Sequence, residues 1–395
     1  MKPLENIKVL DLTRVLAGPY CTMLLSDLGA EVVKVEMPGC GDDSRTFGPF
    51  VNGKSLYFVS INKEKKSISL NLKSEKGKQI IREMVKKFDV VVENFRPGTM
   101  EKLGLGYEDL KQINPRIIYA ASSGFGHTGP YAPKASYDIL AQAMGGIMSI
   151  TGWPDTPPTR VGMSLGDISA GMFLTIGILA ALNQRNSTGE AQKVDVSMLD
   201  CQIAMLENAI TRYQVEGVSP KPLGNRHPTI APFQAYKASD DYFVIAVGND
   251  TLWQKFCHAI LRPQFVCDPR FKTNALRSAN VNLLEEELSK IFSTRTAAEW
   301  VKIIDEAGVP CSPINKVDKI LENPQLIARN MLVELNDSHA GKIKIAGNPV
   351  KISSLPECET RLPAPEIGEH NLEVFAQYLG LTASDLEILA NEGVI

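Results

Sequence analysis

Apolar positions in the first 125 residues fall into short blocks that alternate between two periods. IKVLDL (Ile7–Leu12) and EVVKVE (Glu31–Glu36) are β-branched and strand-like. Between them YCTMLLSDLGA, just after Pro19, spaces its apolar residues as a helix does and stops at Gly29. The theme recurs. SEKGKQIIREMVKKF reads as a helix, DVVVEN (Asp89–Asn94) as the strand after it, and RIIYAASSG (Arg116–Gly124) as a further buried strand. Strands alternating with helices predict a mostly parallel sheet covered on both faces, a Rossmann-like α/β layer.

Downstream the spacing changes. A helix is predicted from about Leu165 through Gln184, with its most apolar stretch, Met172–Leu182, buried; that stretch is too short to span a bilayer. After a turn at NSTGE, QKVDVSML predicts a strand leading into a helix near Asp200–Val215. GVSPKPLGNRHPTIAP is rich in Pro, Gly and polar residues and reads as a linker. FQAYKASDDYFVIAVGND then predicts a hairpin turning at Asp240-Asp241, followed by amphipathic helices near Leu283–Phe292 and Ala297–Ala307. These elements divide the chain into a large domain (1–223), a smaller α+β domain (224–319) and a C-terminal segment (320–395). The last has a β region near Lys342–Ser353 and a helical end from His370.

Composition narrows the function. With 42 basic and 45 acidic residues the net charge is −3, and no long basic block supports nucleic-acid binding. The cluster Lys63-Glu64-Lys65-Lys66 is short and mixed, and reads as a solvated turn. The N-terminus moves straight into a strand pattern without a signal peptide's apolar core. Seven scattered cysteines without C-x-x-C, and five dispersed histidines, point to reduced thiols in a cytoplasm-like compartment and against a metal centre.

The first turn, DLTRVLAGPY, lacks G-x-G-x-x-G, so a nucleotide-dependent oxidoreductase is disfavoured. GFGHTGPY (Gly124–Tyr131) is interrupted by Pro130; it is a weak phosphate cradle but fits a tight loop under a site. SLGDISAGMF (Ser164–Phe173) sets one acid among small neighbours at the mouth of an apolar run. Asp167 there is either a helix cap or a reagent, and the local pattern favours the cap.

Ten segments in order, among them VLDLTRVLAGPYCTMLLSDLGAEVVKVE, VVVENFRPGTMEKLGL, ASYDILAQAMGG, SLGDISAGMF and STGEAQKVDVSMLD, resemble the class III coenzyme A transferases. This is the family of formyl-CoA transferase and carnitine CoA-transferase, and the match covers nearly the whole chain. The resemblance implies a Rossmann-like large domain, a smaller domain inserted in it, and two subunits interlocked like links. It implies CoA transfer between an acyl-CoA and a carboxylic acid, with CoA as substrate rather than bound cofactor, and no nucleic-acid or membrane partner.

By the same resemblance Asp167 is the nucleophile, forming aspartyl-acyl anhydrides. CoA would lie along Lys73, Asn94-Phe95-Arg96, Lys102 and Ala135-Ser136-Tyr137-Asp138, with cationic side chains meeting phosphates. Free N–H groups at the helix start would keep Asp167 ionised, and small Gly166, Ala170 and Gly171 would admit the acyl group. An α-methylacyl-CoA racemase of the same superfamily would carry a His-Asp pair where this chain has Tyr137-Asp138, and His127 lies in another loop. The glycine run of oxalate-type formyl-CoA transferases is replaced by LGNRHPTIAPF, which argues against formate/oxalate exchange. Arg226, assisted by His227, is the candidate clamp for a distal carboxylate of a di- or hydroxycarboxylic acceptor. A non-catalytic CoA-binding protein is the remaining alternative.

Overall fold

The computed structural model describes residues 2–358 and 360–395. The chain forms two compact units, one of Met1–Ile147, Arg160–Val215 and Pro324–Ile395, the other of Met148–Thr159 and Glu216–Asn323. The second unit therefore starts before residue 224 and also takes in a short excursion at 148–159. The boundary at Glu216 falls where the Pro- and Gly-rich stretch 217–232 begins, and the excursion carries Pro154, Pro157 and Pro158.

Six parallel strands form the centre of the large unit: β1 (Lys8–Asp11), β2 (Glu31–Glu36), β3 (Lys66–Ser69), β4 (Val90–Glu93), β5 (Ile118–Ser123) and β6 (Gln192–Ser197). Their spatial order is 3-2-1-4-5-6. Alternate residues feed opposite faces: Leu10, Val33 and Val91 join one apolar cluster, while Val9, Val32 and Val90 join another. In β1, β2, β4 and β5 both faces are buried, and these strands are accordingly mostly β-branched or aliphatic.

One face is covered by α1 (Ala17–Asp27) and α3 (Leu165–Thr188), with α2 (Asp138–Met144) and α4 (Met198–Met205) beside them. Gly171 is what lets α1 and α3 approach: a Cβ there would lie 2.7 Å from the Ala17 carbonyl oxygen. By length and composition α3 could cross a membrane, but half of its most apolar window is buried in the unit. Burial along α3 is one-sided: Leu174, Ile178 and Leu182 are inside, whereas Met172, Phe173 and Ile176 are exposed. The expected helix near Asp200–Val215 is two helices, broken where Glu207 takes a left-handed conformation.

The opposite face is covered by the helix Glu75–Val85 and by the end of the chain, whose Val374, Phe375 and Tyr378 enter the same cluster as Leu10 and Val33. The edge strand β3 is closed by that return: Ser67 N–H donates to His370 Nδ1 (3.3 Å) and Ser69 N–H to Asn371 Oδ1 (2.9 Å).

The cluster at Lys63–Lys66 is not a solvated turn. Lys63 and Lys65 are only 1% and 3% exposed, and Lys66 opens β3. Lys63 Nζ lies 2.5 Å from Asp27, and Lys65 Nζ contacts Asp11 (3.1 Å), Thr22 Oγ1, Asn62 Oδ1 and the Pro19 carbonyl. Two buried aspartates, 36 and 54 positions earlier in the chain, recruit these lysines inward. A local charge pattern cannot reveal that.

In the smaller unit β7 (Phe233–Lys237), β8 (Tyr242–Ala246) and β9 (Cys311–Pro313) make an antiparallel sheet, packed on α5 (Asp250–Ala259), α6 (Val281–Phe292) and α7 (Ala297–Glu306). Its core is aromatic, built on Phe243, Trp253, Phe256, Phe292 and Trp300. In the C-terminal segment only Gly341–Ala346 of the expected β region is strand, and it pairs with Leu332–Asp337.

Candidate active site

The order 3-2-1-4-5-6 reverses direction between β1 and β4. In open α/β sheets ligands bind beyond the carboxyl ends of the strands at that point. Here the chain leaving β1 (Arg14–Ala17) and the chain leaving β4 (Asn94–Pro97) face one cavity of about 460 Å³. Ser122–Gly124 at the end of β5, the loop Lys134–Tyr137, Met198 and Asp167 complete its wall. Of the sequence candidates, Asp167, Asn94, Phe95, Arg96, Ala135, Ser136 and Tyr137 are thus together, with Tyr137 74% exposed. A neighbouring cavity of about 410 Å³, lined by Lys73, Asn71 and Lys34 among others, shares Arg14, Phe95 and Thr99 with the first.

Asp167 is not a cap. Ser164 holds that position, and Asp167 is the third residue of α3. The first-turn N–H that matters goes elsewhere, since Gly166 N–H donates to Asp138 Oδ1 at 2.7 Å. Asp138 is itself buried at the start of α2, accepts from Gln142 Nε2 (2.8 Å) and lies 3.8 Å from Arg160. It anchors the start of α3.

The expectation that helix N–H groups keep Asp167 ionised is reversed. Burial, and then the neighbouring Asp138 charge, push its pKa up to about 7. The small residues also serve another purpose. Gly166 lies against Asp138, Ala170 packs with Ala17, Ala141 and Met198, and Gly171 receives α1.

Several site groups carry no sequence signal. Val15, on the cavity wall, has φ +70°, a strained conformation for a β-branched residue, of order 1–3 kcal/mol. Tyr57, on the helix Leu56–Asn62, is close enough to Asp167 that burial and that charge push its pKa up to about 12. Lys134 brings a further cation to the wall, over the Tyr131 ring at 3.7 Å.

Two further candidates of the large unit line neither cavity. Lys102 is exposed. His127 is held behind β4, with Nδ1 3.3 Å from Lys193 Nζ and Nε2 3.6 Å from buried Glu93. Arg226 and His227 belong to the smaller unit and are engaged inside it. Arg226 donates to Asn282 Oδ1 (2.9 Å) and lies 3.6 Å from Glu285, while His227 Nδ1 accepts from Thr229 and Ile230 N–H.

A sequence profile described as CoA-transferase family III matches residues 4–371. The chain is 48% identical to an acetyl-CoA:oxalate CoA-transferase of Acetobacter aceti over 93% of each protein. It is 40% identical to a succinyl-CoA:glutarate CoA-transferase of Mus musculus, over 100% of this chain and 91% of that one. Among solved structures, a CAIB/BAIF family protein from Brucella suis aligns with a TM-score of 0.83 at 39% identity, covering 95% of this chain and 99% of that one. The chain belongs to CoA-transferase family III, and it is a CoA-transferase enzyme.

Proposed function

We propose that Asp167 is the nucleophile of this transferase and that the acceptor is a small dicarboxylic acid. One observation carries the reading: Asp167 opens into the same cavity as Asn94–Arg96 and Ala135–Tyr137, at the reversal point of the sheet. An Asp167 carboxylate oxygen attacks the thioester carbonyl carbon, the C–S bond breaks, and CoA leaves as thiolate. The product is a mixed anhydride. The acceptor carboxylate then displaces the donor acid to give a second anhydride. The retained thiolate attacks its acyl carbon, which releases the new acyl-CoA and regenerates the aspartate.

Lack of solvation at Asp167 is useful in this chemistry. A carboxylate with few hydrogen bonds and a like charge nearby is raised in free energy as an anion, and attack on the acyl carbon relieves that charge. CoA is placed along the two adjoining cavities, with Phe95 in their common wall and Lys73 in the second. Arg14, Arg96 and Lys134 supply cations for phosphates and for a second substrate carboxylate.

Relatives support the substrate class. The protein from Acetobacter aceti is named for acetyl-CoA and oxalate, the mouse protein for succinyl-CoA and glutarate. Acetyl-CoA or succinyl-CoA is accordingly the proposed donor. Oxalate re-enters as an acceptor with acetyl-CoA, because a 48% identical relative is named for that pair and the missing glycine run spoke only to the formyl-CoA exchange. Interlocked homodimers are part of the reading, supported by the exposed apolar side of α3 at Met172, Phe173 and Ile176. A reducing, cytoplasm-like compartment accords with the odd, unpatterned cysteine count.

The test is a substrate panel with trapping. Purified protein is incubated with acetyl- or succinyl-CoA and a series of mono- and dicarboxylates, and new thioesters are read by mass. Hydroxylamine added during turnover should mark Asp167 as a hydroxamate. Activity without any mark there would overturn the assignment.

A further inference from the structure

The loop between β1 and α1 is held by more partners than a five-residue connection needs. Thr13 N–H donates to Asp11 Oδ1 (2.9 Å), and the Thr13 carbonyl accepts from Lys34 Nζ (2.7 Å). Arg14 N–H donates to Asn94 Oδ1 (2.9 Å), and the Arg14 carbonyl accepts from Asn94 Nδ2 (2.8 Å). Val15 N–H donates to Asp42 Oδ1 (3.0 Å). Five consecutive backbone groups are therefore each met by a side chain from elsewhere in the sequence or from the preceding strand.

Two of those side chains form one buried ion pair. Lys34, within β2, lies 2.8 Å from Asp42 Oδ2; neither side chain is more than 1% exposed, and both stand in the wall of the second cavity. Asp42 is in turn fixed: its N–H donates to Glu36 Oε2 (2.9 Å), its Oδ1 also accepts from Ser44 N–H (2.8 Å), and Arg45 forks onto Glu36 at 2.7 Å. The pair thus grips the carbonyl before Arg14 and the N–H after it. Directly at the second grip the chain takes the left-handed conformation, at Val15. Arg14–Ala17 form one wall of the cavity that Asp167 also lines.

A buried ion pair is weak evidence for stability, since an apolar pair of the same volume usually serves as well. Strained backbone that the surroundings over-determine is, by contrast, characteristic of functional sites. We propose that Lys34 and Asp42 are positioning residues for CoA transfer: together they hold Thr13–Leu16 in the strained form that sets the cavity wall opposite the reacting carboxylate. The inference rests on Asp167 being that carboxylate.

The variants are Asp42→Ala, which removes the Val15 acceptor, Asp42→Asn, which retains an oxygen for it, Val15→Gly, and V15G/D42A. Glycine adopts φ +70° without strain, so it should need the grip less. The expected result is a 10- to 100-fold fall in kcat for D42A at a donor KM within threefold of the starting protein. A smaller fall is expected for D42N, and at least a tenfold recovery of kcat in V15G/D42A over D42A. If D42A does not fold, D42N against V15G/D42N decides, with a three- to tenfold fall reversed by the glycine. An unaltered kcat, a KM that rises as kcat falls, or no recovery with glycine would overturn the proposal. Hydroxylamine trapping separates it from the assignment beneath it. No mark at Asp167 in the starting protein defeats the nucleophile itself, whereas a mark that forms in D42A at the unaltered rate defeats only the positioning role.

Discussion

Two groups of buried carboxylates lie near the carboxyl end of the same sheet, and they are treated in opposite ways. Asp11 has two hydroxyls, a backbone N–H and a lysine ammonium on its oxygens, and Lys65 and Lys34 outweigh its burial, so its pKa lies well below the usual carboxylate range. Asp42 is likewise held down: Lys34 and backbone donors outweigh its burial. Asp167 receives neither treatment. Burial raises it, and the Asp138 charge adds to the rise. Of these three, the paired acids secure backbone and the one without a cation on its oxygens is the one in the cavity. Glu93, at the end of β4 and also raised to about 7 by burial, accepts from Phe95 N–H and Tyr119 and lines neither cavity, so a raised carboxyl marks a reactive acid only where it also faces the cavity.

Breaking the unpaired member should produce the largest effect. Asp167→Asn is expected to lower transfer by about a thousandfold or more, as loss of a covalent nucleophile does, in a steady-state assay of the purified variant. Breaking a paired member should be felt in folding. Asp11→Ala leaves Lys65 buried without its carboxylate and is expected to destabilise by about 3–5 kcal/mol, read from urea melts.

The comparison can be sharpened with pH. Asp167 has a folded pKa raised from 3.8 to about 7, so between these values the folded chain holds a proton that the unfolded chain has released. Its ionisation therefore opposes folding, and the penalty is fully present above pH 7. Thermal melts should show D167N more stable than the parent at pH 8, with the difference vanishing towards pH 4. For the parent, kcat/KM should rise with pH through about 7, as the free enzyme's carboxyl ionises. A flat profile from pH 5 to 8 would contradict the electrostatic reading.

Smaller effects bound the comparison from below. Arg226 is already committed to Asn282 and Glu285, so Arg226→Leu is expected to change donor and acceptor KM by less than about twofold each. A rise confined to the acceptor would return it to the substrate site. Lys76→Ala, at an exposed pair with Glu392, should move stability by about 0.5 kcal/mol or less.

The strands β1, β2, β4 and β5 were legible because both of their faces are buried and their residues are accordingly apolar. The strand β3 was not. Of KSIS only Ile68 is apolar, and Lys66 earns its place through Glu31 and Glu373, which no local window contains. Asp167 could be singled out only because several segments matched a family in order, since its own surroundings favour a cap. Nothing in the sequence marks Val15, whose conformation is imposed by Asp42 and Asn94's hold on the residues around it. Tyr57 is equally silent, because its nearness to Asp167 arises from folding across more than a hundred residues.

The way β3 is closed also bears on how the chain is made. The groups that occupy its outer edge, His370 and Asn371, are synthesised some 300 residues after the strand they cover. Until they emerge from the ribosome, a strand with free hydrogen-bonding groups stands at the margin of a nearly finished sheet, open to pairing with another nascent chain. Translation of the final stretch is thus a vulnerable interval, and a stop codon just ahead of residue 370 would make that interval permanent.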